Sequence, residues 1–369
     1  MCDLRKGTDI DGADMRVVAA MSGGVDSSVT AALLLEQGHE VIGVHMKLHD
    51  AVSAGVDDFS TKSCCGLDDV MDCRRVADRL GIPFYVMDLR EEFRKAVMDD
   101  FADNYVRGLT PNPCIQCNGV LKFRILLRRA QALGASHLAT GHYAQITENN
   151  TLMQAVDQQK DQSYFLFPIT PNALSKTLFP LGGMTKAEVR AHAERLGLVT
   201  AKKPESQDVC FIPDNDHTSF IDRYRPEQEG KGNIVLEDGT VVGQHDGFWK
   251  YTVGQRKGLG VAMGERQYVL DIDASTNTVV IGSNESLFHR SLSATRVNWF
   301  RKPRPEEELT ARIRHRGFLH PCTIEGEDPL VVHFQGPVRA ITPGQAVVLY
   351  SGTEVIAGGW ITKAMEKVA

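Results

Sequence analysis

The sequence lacks a long apolar run and an excess of positive charge, and its first 15 residues lack an apolar centre. No stretch approaches the roughly 20 apolar residues that a membrane-spanning helix needs. The formal net charge is −6, from 41 Lys and Arg residues against 47 Asp and Glu residues, so a polyanionic partner would have to bind a local basic patch. Residues 1–15 are polar and acidic, and we expect a disordered lead-in there rather than a signal peptide.

The eight cysteines lack the spacing of a disulfide-rich secreted scaffold. In a chain without a disulfide framework, irregularly spaced thiols are more typical of metal binding or catalysis. Cys73 and Cys322 are expected to be small buried side chains. The candidates for chemistry are Cys114, Cys117 and Cys210.

A glycine-rich turn near the start of the chain lacks the lysine of a Walker loop. The apolar run 17–21 leads into residues 22–28, SGGVDSS, and a helical pattern follows. A buried strand, a glycine turn and a helix start form an anion site, because the N–H groups of the first helical turn point at the ligand. The serine hydroxyls would add donors, and Asp26 would help to hold a magnesium ion against phosphates. The pattern S-G-G-x-D-S resembles the PP-loop of ATP pyrophosphatases, which cleave ATP between its α- and β-phosphates.

Strand and helix patterns alternate from Arg16 to about Tyr143, which predicts an α/β fold. Such alternation is typical of a doubly wound parallel sheet, in which ligands bind beyond the carboxyl ends of the strands. A further helix is predicted over 185–197, with Thr185 as its N-cap and Glu188 placed for a capping box. The predicted strands are 17–21, 41–46, 84–89 and 137–140, and the other predicted helices are 27–37, 68–80, 91–106 and 120–133.

The character of the chain changes after about Pro213, where glycine turns become frequent and helical periodicity fades. From about Leu287 onward, short β-like runs predict a small β-barrel or sandwich. We therefore expect three domains: a PP-loop catalytic domain over 16–213, a small, mostly β central domain over 214–286, and a C-terminal β-barrel over 287–369. The short runs are 309–316, 323–325, 330–334, 346–350 and 353–361.

Cys114 and Cys117 form a C-x-x-C pair in the proline-containing segment 110–118. The prolines predict an irregular loop directly before the helix 120–133. Thiols beside the positive end of a helix ionise more readily than others. The pair is compatible with half of a zinc site, a redox pair or part of an iron–sulfur site. Cys210, in a polar segment after the α/β region, is a third reactive candidate.

The ordered set of motifs resembles that of the tRNA-specific 2-thiouridylases, from about Arg16 to about Thr362. These enzymes use ATP to place sulfur on C2 of the wobble uridine in the tRNAs for glutamate, lysine and glutamine. The resemblance implies that the C2 oxygen of uridine is adenylated and that a cysteine persulfide then supplies the sulfur. The matching segments are 21–28, 44–47, 110–118, 139–144, 160–166, 210–212 and 245–260.

The resemblance also implies roles for individual side chains. Cys117 would be the nucleophile, and Cys210 would carry the persulfide. Asn112, Pro113 and Cys114 would contact the target base. ATP would be bound by Ala20, Met21, Ser22, Gly23, Gly24, Val25, Asp26, Ser27, Met46 and Gly141. Further tRNA contacts would come from His142, Lys160, Asp161, Gln162, Arg314, His315 and Gln345.

One position departs from the family pattern, because better-known members carry an aspartate where this chain has Cys114. The thiol replaces a candidate general base near the uracil and creates the C-x-x-C pair. Together with Cys117 and Cys210, it would allow a [4Fe–4S] cluster with one open iron, which is an alternative route for sulfur insertion.

The resemblance further implies ATP and Mg²⁺ as cofactors, tRNA as substrate, a sulfur-relay protein or cysteine desulfurase as partner, and a cytoplasmic location. Two other functions stay open at this point. An amidotransferase-type ligase would use the PP-loop but leave the cysteines unexplained. An RNA-binding protein with a redox or cluster switch would use the cysteines but not the PP-loop. Basic residues between 296 and 316 are compatible with phosphate binding or with an ordinary charged barrel surface.

Overall fold

The computed structural model describes residues 15–49, 66–204, 209–212, 216–227 and 230–368. The expected lead-in, apart from Met15, lies outside the described residues, as do Cys2, Cys64 and Cys65. Close contacts divide the chain into two compact units. Unit 1 comprises Met1–Val97, Cys114–Asn215 and Thr353–Val355, and unit 2 comprises Met98–Pro113, Asp216–Gly352 and Ile356–Ala369.

Unit 1 is built on a five-stranded parallel sheet, which confirms the predicted α/β class. Val17, Val18 and Ala19 are completely buried, because a central strand of a parallel sheet is covered on both faces. The strand order reverses direction at the first strand of the chain, and ligands bind at such a reversal. In sheet order the strands are β3 (Phe84–Asp88), β2 (Glu40–Lys47), β1 (Arg16–Ala20), β4 (His137–Ala139) and β7 (Thr177–Leu178). A hairpin of β5 (Ala144–Ile146) and β6 (Leu152–Gln154) also belongs to this unit.

The predicted helices agree closely with the structure, apart from the one that follows the C-x-x-C pair. That helix begins at Pro113 and not near residue 120, so the prediction of an irregular loop through 118 is wrong. Proline is favoured in the first turn of a helix, because its missing N–H would be unpaired there anyway. The α-helices are α1 (Val25–Glu36), α2 (Leu67–Leu80), α3 (Arg90–Phe93), α4 (Asp100–Val106), α5 (Pro113–Gln116), α6 (Leu127–Ala132), α7 (Pro171–Leu174), α8 (Lys186–Arg195) and α9 (His217–Tyr224). Arg94–Asp99 and Cys117–Leu126 are π-helical, and Ser163–Phe165, Phe248–Lys250 and Glu285–Leu287 are short 3₁₀ turns.

The capping box predicted at the start of α8 is present. The hydroxyl of Thr185 accepts a hydrogen bond from the backbone N–H of Glu188, and the Glu188 carboxylate accepts one of 2.7 Å from the backbone N–H of Thr185. Both bonds satisfy donors that a helix start otherwise leaves unpaired. Helix α8 packs against α1, so its first residue is held in a defined place within unit 1.

Unit 2 contains a small sheet and a closed antiparallel barrel, which confirms the two β modules predicted after the α/β region. The small sheet has the order β10-β11-β8-β9, and the barrel has the order β12-β15-β14-β13-β16-β17, closed by pairing of β12 with β17. The strands of the sheet are β8 (Gly232–Leu236), β9 (Val241–His245), β10 (Tyr268–Asp273) and β11 (Thr278–Gly282). Those of the barrel are β12 (Phe288–Trp299), β13 (Leu309–Arg312), β14 (His320–Glu325), β15 (Leu330–Arg339), β16 (Ala346–Ser351) and β17 (Glu354–Lys367).

The long strand β12 is absent from the sequence prediction. Its register against β17 shifts between Thr295 and Asn298, and Arg296 has a φ of +54°. Such an irregularity interrupts the alternation of buried and exposed side chains by which strands are recognised. Within the described ranges, no helix has the length and apolar character that crossing a membrane requires.

Candidate active site

The turn between β1 and α1 depends on Gly23. Gly23 has a φ of +78°, in the left-handed region that favours glycine. A Cβ atom on Gly23 would lie 2.8 Å from the backbone oxygen of Asp69, so α2 leaves no room for a side chain. Gly24 is the N-cap of α1 and has an extended backbone. The turn therefore presents the N–H groups of the first helical turn beyond the carboxyl end of β1, as an anion site requires.

The serine hydroxyls of the loop stabilise the turn itself. The Ser27 hydroxyl donates to the Gly24 carbonyl at 3.1 Å and accepts from the Ser22 N–H at 3.1 Å. The Ser28 hydroxyl donates to the same carbonyl at 2.8 Å. Ser27 and Ser28 are buried, whereas Ser22 is exposed. In this structure Ser22, and not all three serines, presents its hydroxyl to solvent, and an ATP contact of Ser27 stays a prediction.

Asp26, in the first turn of α1, is bound by two side chains from distant parts of unit 1. The ammonium group of Lys186 lies 2.8 Å from each of the two carboxylate oxygens. The phenol of Tyr143 donates to Oδ1 at 2.7 Å. The loop thus contains a carboxylate whose charge is balanced by a lysine supplied from the start of α8.

Gly141 and Met46 lie at the same edge of the sheet as the PP-loop. A Cβ atom on Gly141 would be 3.0 Å from the backbone carbon of Asp26 and from the nitrogen of Ser27, so the chain after β4 lies directly against the start of α1. Met46 is half-buried near the carboxyl end of β2 and pairs with Met87 of β3. This placement is compatible with the predicted nucleotide contacts of Gly141 and Met46.

The two thiols of the C-x-x-C pair lie on consecutive turns of one helical segment. Cys114 is exposed in α5, and Cys117 is half-buried at the first position of the π-helical segment Cys117–Leu126. Both thiols are therefore inside the first turns of a helix, not in a loop before it. The helix terminus still favours negative charge there.

The π-helical segment that carries Cys117 packs closely against the chain at 163–168. The side chain of Asn118 is buried and donates to the Phe165 carbonyl at 3.4 Å. A Cβ atom on Gly119 would lie 2.9 Å from Cβ of Pro168. Both contacts help to fix the position of Cys117, because they involve the two residues that follow it.

A buried carboxylate shapes the turn before that packed segment. Asp161 accepts hydrogen bonds from two backbone N–H groups, at 3.2 Å each, and from the Ser163 hydroxyl at 3.0 Å. Gln162 accepts a bond of 2.9 Å from the backbone N–H of Tyr143. Asp161 is 3% exposed, so its carboxylate serves the turn in this structure. The motif at 160–162 thereby supports the helix of Cys117.

His142 is buried inside unit 1. Its Nδ1 lies 2.6 Å from the Thr140 hydroxyl and its Nε2 lies 3.2 Å from the ammonium of Lys122. The ring packs between Phe123 and Phe179, with centroid distances of 5.9 and 5.7 Å. Burial, and to a smaller extent the charge of Lys122, hold the pKa of His142 well below 6.5, so the ring is neutral. The structure gives His142 a packing role, and its predicted tRNA contact is untested.

Cys210 is half-buried in the short described segment 209–212. Its neighbour Phe211 is buried and packs edge-on against Phe93 of α3, with centroids 5.6 Å apart. Helix α3 in turn contacts the π-helical segment that begins at Cys117. The segments of both candidate catalytic thiols are therefore connected through α3.

In unit 2, the segment before the C-x-x-C pair is held by the barrel loop at 342–345. The side chain of Gln345 donates to the Thr110 carbonyl at 2.8 Å, and the Thr110 N–H donates to the Pro343 carbonyl at 2.9 Å. A Cβ atom on Gly344 would be 2.7 Å from the Thr110 nitrogen. Gln345 therefore shapes the loop that continues into Asn112.

Arg314 and His315 lie in the loop between β13 and β14. The Arg314 guanidinium donates to the carbonyls of Arg339 and Ala340, at 3.1 and 2.9 Å. Arg316 is exposed, and Phe318 is 84% exposed. This loop offers positive charge and an aromatic ring to solvent, which is a combination suited to RNA. The tRNA contacts expected of Asn112, Pro113, Cys114, Lys160, Asp161, Gln162, Arg314, His315 and Gln345 stay predictions.

Comparison with known proteins identifies the family. The profile described as "tRNA methyl transferase HUP domain" matches residues 15–214, "tRNA methyl transferase PRC-barrel domain" matches 218–283, and "Aminomethyltransferase beta-barrel domain" matches 289–361. The tRNA-specific 2-thiouridylase MnmA of Geotalea uraniireducens (strain Rf4) is 50% identical over 361 residues, which cover 95% of this chain and 96% of that protein. The enzyme of the same name from Geobacter metallireducens is 49% identical over 360 residues, covering 95% and 97%.

The chain belongs to the tRNA-specific 2-thiouridylase family. This confirms the resemblance drawn from the order of the motifs. Members of the family are transferases that move sulfur onto tRNA uridine. Among solved structures, a 4-thiouridine synthetase with RNA and bound ATP matches 58% of this chain and 51% of its own, with 18% identity and a TM-score of 0.38.

The described residues do not support an iron–sulfur cluster. Across the ranges that the structure describes, no three His, Cys, Asp or Glu side chains are grouped so that they could hold a metal ion. Cys114 is exposed while Cys117 and Cys210 are half-buried. The cluster ligands considered from the sequence, Cys114, Cys117 and Cys210, are therefore not brought together as a metal site.

Sequence reasoning misses the lysine that balances Asp26. The capping box locates Lys186 as the first residue of α8, but nothing local indicates a partner 160 positions away. Tyr143 belongs to a matched motif but carries no predicted role. Asn118 is likewise within a matched motif, and its buried amide becomes visible as a support for Cys117 only in the folded chain.

Proposed function

We propose that this protein catalyses ATP-dependent 2-thiolation of the wobble uridine of tRNA. One observation carries the proposal: a PP-loop turn and two half-buried thiols, whose segments meet at α3, belong to the same compact unit. The two features answer the two needs of the reaction, which are activation of a carbonyl oxygen by ATP and delivery of a sulfur nucleophile.

In the first step, the C2 oxygen of uridine attacks the α-phosphate of ATP. The bond between the α-phosphorus and its bridging oxygen breaks, and pyrophosphate leaves. The N–H groups at the start of α1 are suited to hold the departing phosphates, because they point beyond the sheet edge. The base is then adenylated. The C2 oxygen, a poor leaving group by itself, can now leave as part of AMP, which is a good one.

In the second step, a persulfide on Cys210 supplies sulfur. Its terminal sulfur attacks C2 and expels AMP together with the former C2 oxygen, and the Cys117 thiolate then attacks the Cys210 sulfur and releases 2-thiouridine. Alternatively, Cys117 attacks the persulfide first and releases hydrosulfide, which attacks C2. Both routes leave a Cys117–Cys210 disulfide, which a cellular dithiol must reduce with two electrons before the next persulfide is loaded.

The substrates and partners follow the same proposal. The tRNAs are those for glutamate, lysine and glutamine, and the persulfide comes from a relay protein or a cysteine desulfurase. The location that goes with this proposal is the cytoplasm. Asn112, Pro113 and Cys114 would contact the target base, and the exposed loop with Arg314 and His315 would contact the tRNA backbone.

A magnesium ion would accompany ATP in this proposal. Asp26 is a carboxylate in the loop and is the kind of oxygen ligand that Mg²⁺ takes. The ion would neutralise phosphate charge, while Lys186 already balances the carboxylate itself. Cluster-dependent thiolation is not favoured by the arrangement of thiols, and an RNA-binding protein without catalysis would leave the PP-loop unexplained.

Three cysteine substitutions test the sulfur route. With tRNA, ATP, Mg²⁺ and a persulfide donor under anaerobic conditions, Cys117→Ser and Cys210→Ser should each lose thiolation by at least about 100-fold, because removal of a nucleophile typically costs this much or more. Both variants should still release pyrophosphate. Nucleoside mass spectrometry measures the product.

Cys114→Ser separates the two sulfur routes, since it removes a thiol that would ligate a cluster but takes no part in the persulfide route. It should keep measurable thiolation. Full activity of Cys210→Ser would overturn the persulfide role of that residue. Loss of thiolation together with loss of bound iron in all three variants would replace the persulfide route by a cluster.

A further inference from the structure

The PP-loop binds phosphate, in the proposed function, without a cation of its own. Residues 22–28 contain one charged side chain, Asp26, and it is negative. A carboxylate in the first turn of α1 would repel a triphosphate placed at the same helix start. A positively charged side chain beside the loop would offset this repulsion in addition to Mg²⁺, and residues 22–28 do not supply one.

Lys186 is the cation that lies at this position. Its ammonium is 2.8 Å from both oxygens of Asp26 and 5.7 Å from the ring centroid of Tyr143. The side chain of Lys186 is 13% exposed and that of Asp26 is 31% exposed, so the ion pair is partly buried but still accessible to solvent. The ammonium thus lies beside the first turn of α1, where the anion site is, and is not fully enclosed by protein.

The backbone of Lys186 is fixed independently of this ion pair. Its N–H donates to the Asp157 carboxylate at 3.0 Å, and the capping box of Thr185 and Glu188 defines the helix start. The flexible part of Lys186 is therefore its four-carbon side chain. Tyr143 also bonds Asp26, so one carboxylate oxygen keeps a donor when the ammonium turns away.

We propose that Lys186 binds the phosphates of ATP, taking the place of the lysine that the PP-loop lacks, and that Asp26 and Tyr143 hold it in position before the nucleotide arrives. The inference rests on the proposed function for its ligand, a nucleoside triphosphate. It adds a phosphate-binding residue 160 positions from the loop.

A competing explanation is that the Lys186–Asp26 ion pair only stabilises the packing of α8 against α1. The same two helices carry a second ion pair at their other ends, where the Arg195 guanidinium lies 2.7 Å from the Glu36 carboxylate. Arg195 does not face the PP-loop, because it is in the last turn of α8 and its partner is in the last turn of α1. This second pair provides a matched control for a purely structural role.

The test measures the binding of ATP and of AMP to the full-length protein without tRNA, by calorimetry, in the variants Lys186→Met, Lys186→Arg and Arg195→Met. We expect Lys186→Met to weaken ATP binding by tenfold or more while AMP binding changes less than twofold, since AMP lacks the β- and γ-phosphates. Lys186→Arg should recover a large part of the ATP affinity, because it keeps the positive charge. Arg195→Met should leave both affinities unchanged.

The outcomes separate this inference from the proposed function. The inference is overturned if Lys186→Met weakens the binding of ATP and of AMP equally, or lowers only the unfolding temperature as Arg195→Met does. In either case Lys186 only holds α8 against α1. If the unsubstituted protein binds ATP but produces no 2-thiouridine with tRNA and a persulfide donor, the proposed function fails while the phosphate role of Lys186 is still supported by the ATP-to-AMP ratio.

Discussion

The PP-loop of unit 1 and the basic segment 296–316 of unit 2 are both expected to bind phosphate, but they are built differently. The PP-loop has no cation and depends on backbone geometry, with Gly23 pressed against α2. The basic segment has many cations, of which several are already engaged. Arg301 makes two hydrogen bonds to the Glu307 carboxylate, at 2.8 and 2.6 Å, and Arg312 is buried with its guanidinium over the Tyr350 ring.

This difference shows that the number of basic residues in a sequence does not measure the charge available to a phosphate. In unit 1, a site without a cation in its own segment is completed by a distant side chain. In unit 2, charges that count as basic in the sequence serve to hold the barrel together. We therefore expect single substitutions in the PP-loop to have large effects, and those in the basic segment to have small effects that depend on salt.

The largest effect is expected from Gly23→Ala. An alanine there must adopt a left-handed backbone conformation, and its methyl group must displace the backbone of Asp69 in α2. Pyrophosphate release with tRNA and ATP should fall by about 100-fold, because a shift of about 1 Å in a binding loop is enough to cost that much. The measurement is a coupled pyrophosphate assay.

Gly38→Ala is the matched control, at the other end of the same helix. Gly38 also has a positive φ, of +86°, but a Cβ atom there would meet no other atom within 4 Å. This variant should be destabilised by about 1–2 kcal/mol and keep its pyrophosphate release. Equal losses of activity in both variants would show that strain, and not the packing of the loop on α2, causes the effect.

An intermediate effect is expected for the pH dependence of stability. Folding lowers the pKa of His142, so the unfolded chain binds a proton near pH 6.5 that the folded chain rejects. The contribution of His142 to stability is therefore complete above about pH 7 and declines as the pH falls below 6.5, by up to about 1.4 kcal/mol per pH unit. In chemical denaturation from pH 7 to pH 5, His142→Asn should lose stability less steeply than the unsubstituted protein. Identical slopes would mean that His142 accepts a proton in the folded state.

The smallest effect is expected from Arg316→Ala, on the exposed loop of the barrel. Removal of one phosphate contact should weaken tRNA binding only a few-fold and lower the slope of log affinity against log salt by about 0.7–0.9. Arg301→Gln is the control, because Arg301 is bonded to Glu307, and it should leave the salt slope unchanged. A salt slope that drops equally in both variants would show that Arg301, despite its bonds to Glu307, contributes as much as the exposed Arg316.

Much of unit 1 could be predicted from the sequence because its strands are short, apolar and followed by strong helix signals. The helix start at Pro113 was hidden, since two prolines and an asparagine are also the composition of a loop. The pairing of Lys186 with Asp26 could not be predicted, because a single lysine at a helix start carries no information about a partner in another helix. The burial of Asp161 could not be predicted either. Its charge indicates exposure, and its hydrogen bonds to backbone N–H groups become visible only in the folded chain.

The π-helical segment that begins at Cys117 has a consequence for changes in chain length. A π-helical turn contains one residue more than an α-helical turn, so its widened turns behave as an insertion within an otherwise regular helix. Deleting one residue between 120 and 126 without tightening of a widened turn would rotate the thiol by about 100° around the helix axis relative to the buried face of α6. A chain shortened in this way could keep its core and still aim its nucleophile in a different direction, so the length of this segment, as much as the identity of Cys117, defines where the sulfur chemistry can take place.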